Sequence, residues 1–251
     1  IQMNPETVKN YFDNPLVVAD YASAAENVGL WNSERIVFEK YIPKSSKIIE
    51  FGCGAGRISL GLNALGYGNL TATDFAPKMV EAAAEIFARH NANIEAFVCD
   101  ATDTQLKDAS FDAAIFGFNG LMQIPKAAQR RRAIGEICRI LKPGGIFAFT
   151  THDRGAKRNA HYWENEKKQW QSNSQQPVLD DFGDIFYEGE HGNIFIHSPS
   201  REEIELALSE AGFDIVFSAA RPEIAQEPEL VRDFSDDCIF WCAKKRLNLE
   251  K

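Results

Sequence analysis

Apolar and polar residues follow two different periods along the chain, and together they predict strands and helices in regular alternation. Between short apolar runs, apolar side chains recur at spacings of three and four, as in helices that bury one face. Such alternation predicts a parallel sheet that helices cover on both sides. The apolar runs, which are rich in β-branched and aromatic residues and predict buried strands, lie at 48–51, 69–74, 94–100, 111–119 and 145–152.

The pattern changes at both ends of this alternating core. Residues 1–42 predict helices with breaks between them. Residues 153–199 are polar and then rich in aromatic side chains, and within them 185–197 resembles an antiparallel hairpin. A helix and two strands then resume the alternation, at 200–211, 213–220 and 238–244. The chain therefore predicts one α/β domain with a segment inserted after its fifth strand.

Charge and hydropathy exclude several classes of protein. The formal net charge of -9 argues against a nucleic-acid or anionic-membrane partner, because such proteins carry basic surfaces. One basic run on a predicted helix, Lys126 and 130–132, is expected to be a solvated face. No apolar run reaches membrane-spanning length, and the first residues lack the regions of a signal peptide. We therefore expect no membrane partner.

The five cysteines show no spacing typical of a disulfide framework. In an α/β sequence of ordinary composition, such cysteines indicate free thiols in a reducing compartment. Cys238 and Cys242 would share one face of a strand, but no further pair of histidines or cysteines stands near them. The sequence therefore predicts a cytoplasmic protein without a metal site.

The stretch 47–57, KIIEFGCGAGR, predicts a strand that turns sharply into a helix at Gly52, Gly54 and Gly56. Glycine suits such a turn because it adopts positive φ and lets the backbone lie directly against a ligand. The helix that follows directs its unpaired N–H groups toward whatever lies over the turn. The stretch therefore predicts a ligand-binding edge.

Three polar residues, Asp74, Asp100 and Asn119, lie where later strands are predicted to end. In an open parallel sheet, ligands bind beyond the carboxyl ends of the strands, near the point where the strand order reverses. The glycine turn and these three residues follow four successive strands. One ligand is therefore expected to contact all of them.

Four separated motifs decide between two classes of cofactor. A dinucleotide fingerprint, G-x-G-x-x-G, would have its third glycine at the position of Arg57, one residue after Gly56. The chain instead has E-F-G-C-G-A-G, T-D-F after strand two, C-D-A after strand three and R-I-L-K-P-G-G before strand five. On these residues, over 47–152, it resembles the class I S-adenosylmethionine-dependent methyltransferases. The resemblance implies a doubly wound, mostly parallel sheet of seven strands in the order 3-2-1-4-5-7-6, with strand seven antiparallel.

The resemblance also implies how S-adenosylmethionine binds. Asp74 is expected to accept hydrogen bonds from both ribose hydroxyls, and Asp100 from the adenine amino group. Glu50 is expected to hold the methionine ammonium, whereas Arg57 either meets the methionine carboxylate or is an exposed helix residue. The chain departs from the family pattern at Ala76, where many relatives have a serine that caps the following helix. Loss of that cap costs on the order of 1 kcal/mol. The expected cofactor-binding residues are Glu50, Gly52, Cys53, Gly54, Gly56, Arg57, Asp74, Phe75, Met79, Asp100, Ala101, Phe118, Asn119 and Gly120.

The cofactor motifs do not identify the methyl acceptor. Transfer from a sulfonium is an in-line displacement on an activated leaving group, so the protein mainly aligns donor and acceptor and excludes water. His152, at the end of strand five, is the best candidate for a general base, with a structural histidine as the alternative. The aromatic residues of 153–199 suggest a small, partly apolar acceptor pocket. Candidate substrate contacts are Tyr21, Trp31, Met122, Tyr162, Trp163 and Tyr187.

We therefore expect a single-domain methyltransferase that uses S-adenosylmethionine, releases S-adenosylhomocysteine and acts on a small molecule. The alternatives are a protein or RNA methyltransferase, which the acidic balance disfavours, a cofactor-binding module without catalysis, and a nicotinamide-dependent oxidoreductase. The expected parts of the domain are a helical lid at 1–45, a cofactor-binding core at 46–152, a substrate cap at 153–199, and a closing helix and strands at 200–245.

Overall fold

The computed structural model of the chain describes residues 3–247, and it has nine strands and ten α-helices within them. The strands are β1 Ile48–Phe51, β2 Leu70–Asp74, β3 Glu95–Val98, β4 Phe111–Phe116, β5 Leu141–Thr151, β6 Asp184–Gly189, β7 Gly192–His197, β8 Phe213–Ala220 and β9 Ile239–Lys245. The helices are α1 Pro5–Phe12, α2 Pro15–Asn27, α3 Asn32–Tyr41, α4 Arg57–Ala64, α5 Pro77–Arg89, α6 Ala127–Ile140, α7 Ala160–Gln171, α8 Arg201–Ala211, α9 Arg221–Ile224 and α10 Glu229–Phe234. None of these helices is long and apolar enough to cross a bilayer.

Seven of the strands form one sheet in the order β3-β2-β1-β4-β5-β9-β8. β9 pairs antiparallel with β5 and β8, whereas the remaining neighbours pair in parallel. The predicted fold and strand order are confirmed, with β8 and β9 as the predicted strands six and seven. The strand order reverses between β1 and β4, so the carboxyl ends of these two strands form the crevice where such sheets bind ligands.

Both faces of the sheet are buried, because successive residues of a strand point to opposite sides. In β1, Ile49 and Phe51 pack in one apolar cluster with residues of α6 and α8. Ile48 packs in a second cluster with residues of α3, α4 and α10. Cys238 and Cys242 also belong to the second cluster, and both are free thiols.

The strand β5 is longer than its sequence predicts. It begins at Leu141, which pairs with Phe111, and after a shift in register Ile146 pairs with Ala113. The strand was expected to begin at Gly145, so Lys142, Pro143 and Gly144 were expected to lie outside it. The pairing of Leu141 incorporates that segment into the strand as an irregularity.

The segment inserted after β5 carries the predicted hairpin, in which β6 and β7 form a separate two-stranded sheet. At its base, Asp181 Oδ2 accepts a hydrogen bond from the Ala127 amide at 2.6 Å and lies 3.1 Å from Arg130 Nη2. Arg130 is buried by this contact. The expectation that its basic run is a solvated face is therefore wrong at Arg130.

Candidate functional site

A cleft opens at the carboxyl ends of β1, β2 and β4, where the strand order reverses. The turn after β1 forms its floor, and residues of α1 and α2 line it from the other side. Carboxyl groups occupy separate positions in a lining that is otherwise mainly apolar. The predicted site residues that line the cleft are Tyr21, Glu50, Gly52, Cys53, Gly54, Arg57, Asp74, Phe75, Asp100, Ala101, Phe118 and Gly120.

The turn after β1 requires glycine at Gly52, Gly54 and Gly56, and the last two show the reason. Gly54 has φ +54, and a Cβ atom there would lie 2.7 Å from a ring carbon of Tyr21. Gly56 has φ +88 where the chain enters α4, and a Cβ atom there would lie 2.5 Å from the ring of Phe87. A side chain at either position would displace the ring that packs on it, and positive φ would strain any residue other than glycine there.

Asp74 ends β2 with its carboxylate between two backbone amides. Its Oδ2 accepts a hydrogen bond from the Gly54 amide and its Oδ1 from the Ala76 amide, both at 2.9 Å. Burial raises the pKa of this carboxyl to about 6, although the hydrogen bonds from the amides oppose the shift. The group is therefore mostly ionised at pH 7. Each of its oxygens has a further lone pair for a ligand hydroxyl.

Glu50 is buried at the floor of the cleft, where only 2% of the residue is exposed. Its Oε2 accepts hydrogen bonds from the Ser59 amide, at 3.0 Å, and from the Ser59 hydroxyl. Burial nevertheless raises the pKa of this carboxyl to about 8. A cation that entered the cleft beside Glu50 would stabilise the ionised form, so the position suits a ligand ammonium.

Asp100 follows β3, near the carboxyl end of the neighbouring strand β2. Its Oδ1 accepts hydrogen bonds from the amide and the hydroxyl of Thr102, both at 2.8 Å. Phe75 and Ala101 line the cleft together with it. An apolar slot that carries one hydrogen-bond acceptor fits a planar base with an exocyclic amine.

Arg57 also reaches the cleft, but its guanidinium is bound within the protein. Its two terminal nitrogens donate to the two carboxylate oxygens of Glu34, each at 2.6 Å. Nη1 also donates to the Gly29 carbonyl at 2.8 Å, and the guanidinium lies 4.6 Å from the centre of the Trp31 ring. Arg57 is buried, so the alternative of an exposed helix arginine is wrong. The bidentate pair ties α4 to α3.

Aromatic rings line the cleft beyond β4. Phe118 stacks on Phe234 with ring centroids 5.0 Å apart, and Tyr21 lies edge-on to Phe118 at 6.0 Å. Phe118 and Asn119 have φ values of +48 and +58, which residues other than glycine adopt at a cost of about 1–3 kcal/mol each. Burial raises the pKa of Tyr21, so its hydroxyl stays protonated at neutral pH. This end of the cleft therefore presents aromatic faces and one phenol group.

The remaining predicted site residues lie outside the cleft. Burial lowers the pKa of His152, and its Nε2 lies 3.4 Å from the Asn119 side-chain nitrogen. Trp31 is buried between the guanidinium groups of Arg57 and Arg221, whose carbons lie 4.6 and 5.2 Å from its ring centre. Among the described residues, the predicted site residues that do not line the cleft are Trp31, Gly56, Met79, Asn119, Met122, His152, Tyr162, Trp163 and Tyr187.

The insert of 153–199 supplies none of the described residues that line the cleft. Trp163 is buried and packs edge-on against Phe182 with centroids 5.8 Å apart. Tyr162 and Tyr187 are 44% and 49% exposed. Trp163 therefore packs within the insert, and no described aromatic residue of the insert lines the cleft, contrary to the expectation that they form an acceptor pocket over the sheet.

Several parts of the lining were not predicted from the sequence, among them one face of α1, Phe234 and residues 123–125. α1 contributes Pro5, Val8, Lys9 and Phe12, whose spacing of three, four and seven marks one face of a helix. That spacing was a usable signal for a buried face. Phe234, at the end of α10, had no such signal, because it reaches the cleft only when the segment after β8 folds back over the sheet.

Comparisons with known proteins agree with this geometry. Residues 48–145 match a family described as a methyltransferase domain. A demethylmenaquinone methyltransferase of Clavibacter sepedonicus is 29% identical over 156 residues, which are 60% of this chain and 61% of that protein. The alignments cover 51% and 61% of the first two curated relatives, so the chain spans little more than half of their length.

Solved structures share the fold over most of the chain. A SAM-dependent methyltransferase from Methanosarcina mazei superposes with a TM-score of 0.67 at 21% identity, and the match covers 84% of this chain and 98% of that one. The [4+2]-cyclase SpnF superposes with a TM-score of 0.69 at 16% identity and covers 98% of both chains. At these identities the likeness establishes the fold.

Proposed function

We propose that this chain, whose residues 48–145 belong to the methyltransferase-domain family, is an S-adenosylmethionine-dependent methyltransferase that acts on a small-molecule acceptor. The family resemblance found in the four sequence motifs is confirmed by that match. The observation that carries the proposal is the placement of three carboxyl groups, Glu50, Asp74 and Asp100, along one cleft at the reversal of strand order.

The three carboxyl groups fit three separate parts of the cofactor, which supplies a methyl group already activated on a sulfonium. Asp74 accepts hydrogen bonds from the ribose hydroxyls, and its position between two amides holds it in place. Asp100 accepts from the adenine amine, with Phe75 against the ring. Glu50 pairs with the methionine ammonium, and this pairing offsets the free-energy cost of ionising a buried carboxyl.

The acceptor binds at the aromatic end of the cleft. Tyr21, Phe118 and Phe234 meet there, and Tyr21 packs directly on Gly54 in the floor that faces the methionine part of the cofactor. Their rings exclude water and orient the acceptor for in-line attack, and the Tyr21 hydroxyl donates a hydrogen bond to it. His152 receives no role in this proposal, because it does not line the cleft.

An acceptor site lined by aromatic rings favours a small molecule over a protein or RNA target. The net charge of -9 supports the same choice, because it disfavours polyanionic partners. The resulting partners are a small-molecule substrate and the cofactor, with neither nucleic acid nor membrane.

Calorimetric titration with S-adenosylmethionine, S-adenosylhomocysteine and NADH tests the proposal. We expect the first two to bind and NADH to give no heat of binding. Tight binding of NADH alone would overturn the proposal in favour of an oxidoreductase. A metabolite library is then screened for S-adenosylhomocysteine formation, with Asp74→Asn as the control. Cofactor binding without turnover of any acceptor would favour a non-catalytic module instead.

A further inference from the structure

The short helix α1 lines the cleft but has little buried surface to hold it in place. One face of it lines the cleft, yet none of its residues is fully buried. A helix of eight residues is marginal alone, so its position depends on what holds its ends. The turn Asp13–Asn14, which joins α1 to α2, makes the contacts that hold its carboxyl end.

Asp13 connects this turn to α5. Its Oδ1 accepts a hydrogen bond from the backbone amide of Lys78 at 2.9 Å. Lys78 is the second residue of α5, and Ala76, at the N-cap position, has no side-chain group that caps the helix. Asp13 therefore supplies, from a separate part of the chain, the capping interaction for which the sequence has no local residue.

The other side of the turn is held by the insert. The carbonyl of His191, at the tip of the hairpin, accepts a hydrogen bond from Asn14 Nδ2 at 2.9 Å. The ring Nε2 of His191 also lies 3.0 Å from Asp20 Oδ2 on α2. The turn is thus hydrogen-bonded to α5 on one side and to the hairpin on the other.

We propose that Asp13 is a positioning residue that couples closure of α1 over the cleft to the capping of α5, and that this coupling slows release of the cofactor. Asp74, the carboxylate assigned to the ribose, accepts from the amide of Ala76, the residue that precedes α5. Loss of the Asp13 contact releases α1 and uncaps the helix beside that carboxylate at the same time. The inference rests on the proposed function, because it concerns how S-adenosylmethionine is retained.

Two variants separate the two halves of the coupling. Asp13→Ala removes both the cap and the tie to α1, whereas Asp13→Ala with Ala76→Ser restores a local cap and leaves α1 untied. Ser200→Ala is the matched control, because Ser200 caps α8 away from the cleft and accepts from the Glu203 amide at 3.2 Å. Dissociation of S-adenosylhomocysteine is followed by stopped-flow fluorescence, and the thermal midpoint is measured for the same proteins without ligand.

We expect Asp13→Ala to lower the midpoint and to speed dissociation about fivefold, the factor that corresponds to one lost cap. Adding Ala76→Ser is expected to restore the midpoint but not the slow dissociation, and Ser200→Ala to lower the midpoint with dissociation unchanged. Asn14→Asp keeps the acceptor that caps α2 and leaves α5 capped, but it has no N–H donor for the His191 carbonyl, so it is expected to speed dissociation as well. Slow dissociation in the double variant would overturn the inference, since the role of Asp13 would then be structural. If the unaltered protein binds no S-adenosylhomocysteine, the proposed function fails instead.

Discussion

The buried carboxyl of Glu50 leads to a prediction about cofactor affinity and pH. With a pKa of about 8, this group is mostly protonated in the free protein at pH 7. The methionine ammonium is expected to bind the ionised form, so cofactor binding must release a proton. Affinity for S-adenosylhomocysteine should therefore rise with pH up to the pKa of Glu50 and then level off.

The size of this change in affinity follows from the pKa of Glu50 alone. About nine-tenths of Glu50 is protonated at pH 7, and each unit below the pKa makes deprotonation about tenfold less favourable. Between pH 6.5 and 7.5 the dissociation constant should therefore fall about eightfold, with about 0.9 proton released per ligand at pH 7. Calorimetry in buffers of different ionisation enthalpy measures both quantities. 5′-Methylthioadenosine is the matched ligand, because it lacks the ammonium and should show little of this dependence.

Glu50→Gln completes the test. Glutamine keeps an acceptor for Ser59 and cannot titrate, so the pH dependence should disappear, and affinity at pH 7.5 should fall at least tenfold. The raised pKa also predicts how the stability of the fold depends on pH. Protonated Glu50 suits its buried site, so its full contribution to stability is present below the ordinary pKa of 4.5. That contribution is lost as pH rises through about 8, where the buried carboxyl must ionise. The ligand-free variant should therefore unfold at a higher temperature than the unaltered protein at pH 8.5, and less so at pH 5. An unchanged pH slope in Glu50→Gln would refute the assignment of Glu50 to the ammonium.

Four further substitutions, one of them made on top of another, test other parts of the site. Asp74→Asn should weaken S-adenosylhomocysteine and 5′-methylthioadenosine alike, by about tenfold or more in calorimetry, because both ligands carry the ribose; a loss for one ligand alone would contradict the ribose contact. Arg57→Met should cost about 3–5 kcal/mol in denaturant unfolding, since Glu34 is then left buried without its partner. Adding Glu34→Leu should recover most of that loss, and no recovery would show that packing and not charge is responsible. Phe118→Ala should raise the KM for the acceptor while S-adenosylhomocysteine affinity changes less than about twofold; equal losses in both would move the acceptor away from this ring.

The fold was predictable because its signals are local. Each strand of the main sheet is a short apolar run next to a turn signal, and parallel strands joined by helices leave few possible topologies. The exception is β5, whose first residue pairs with Phe111 before a shift in register. No feature of the Pro-Gly-Gly segment indicates such a pairing, because it depends on where the neighbouring strand begins.

The floor of the candidate site was predictable for a similar reason. Asp74 and Asp100 follow strands directly, so the sheet alone brings them to one edge. Contacts between distant parts of the chain could not be predicted, as Arg57 illustrates. Its partner Glu34 lies 23 residues away on a helix whose packing direction the sequence does not reveal. Asp13 and Lys78 are 65 residues apart, and only the folded chain shows that an aspartate replaces the missing cap at Ala76.

The insert lies outside the cleft, but buried charged groups hold it in a defined position beside the turn that follows α1. His197 in β7 is buried, with its two ring nitrogens 2.8 and 2.9 Å from carboxylate oxygens of Asp184 and Glu203. Buried Arg130 lies 3.8 Å from Asp184, so charged groups whose geometry is specific hold the base of the hairpin. A slippage of the hairpin would leave these groups buried without partners, which fixes where its tip lies. Since the carbonyl of the tip residue His191 accepts a hydrogen bond from Asn14 in the turn between α1 and α2, we expect the buried network to limit how far α1 moves from the cleft.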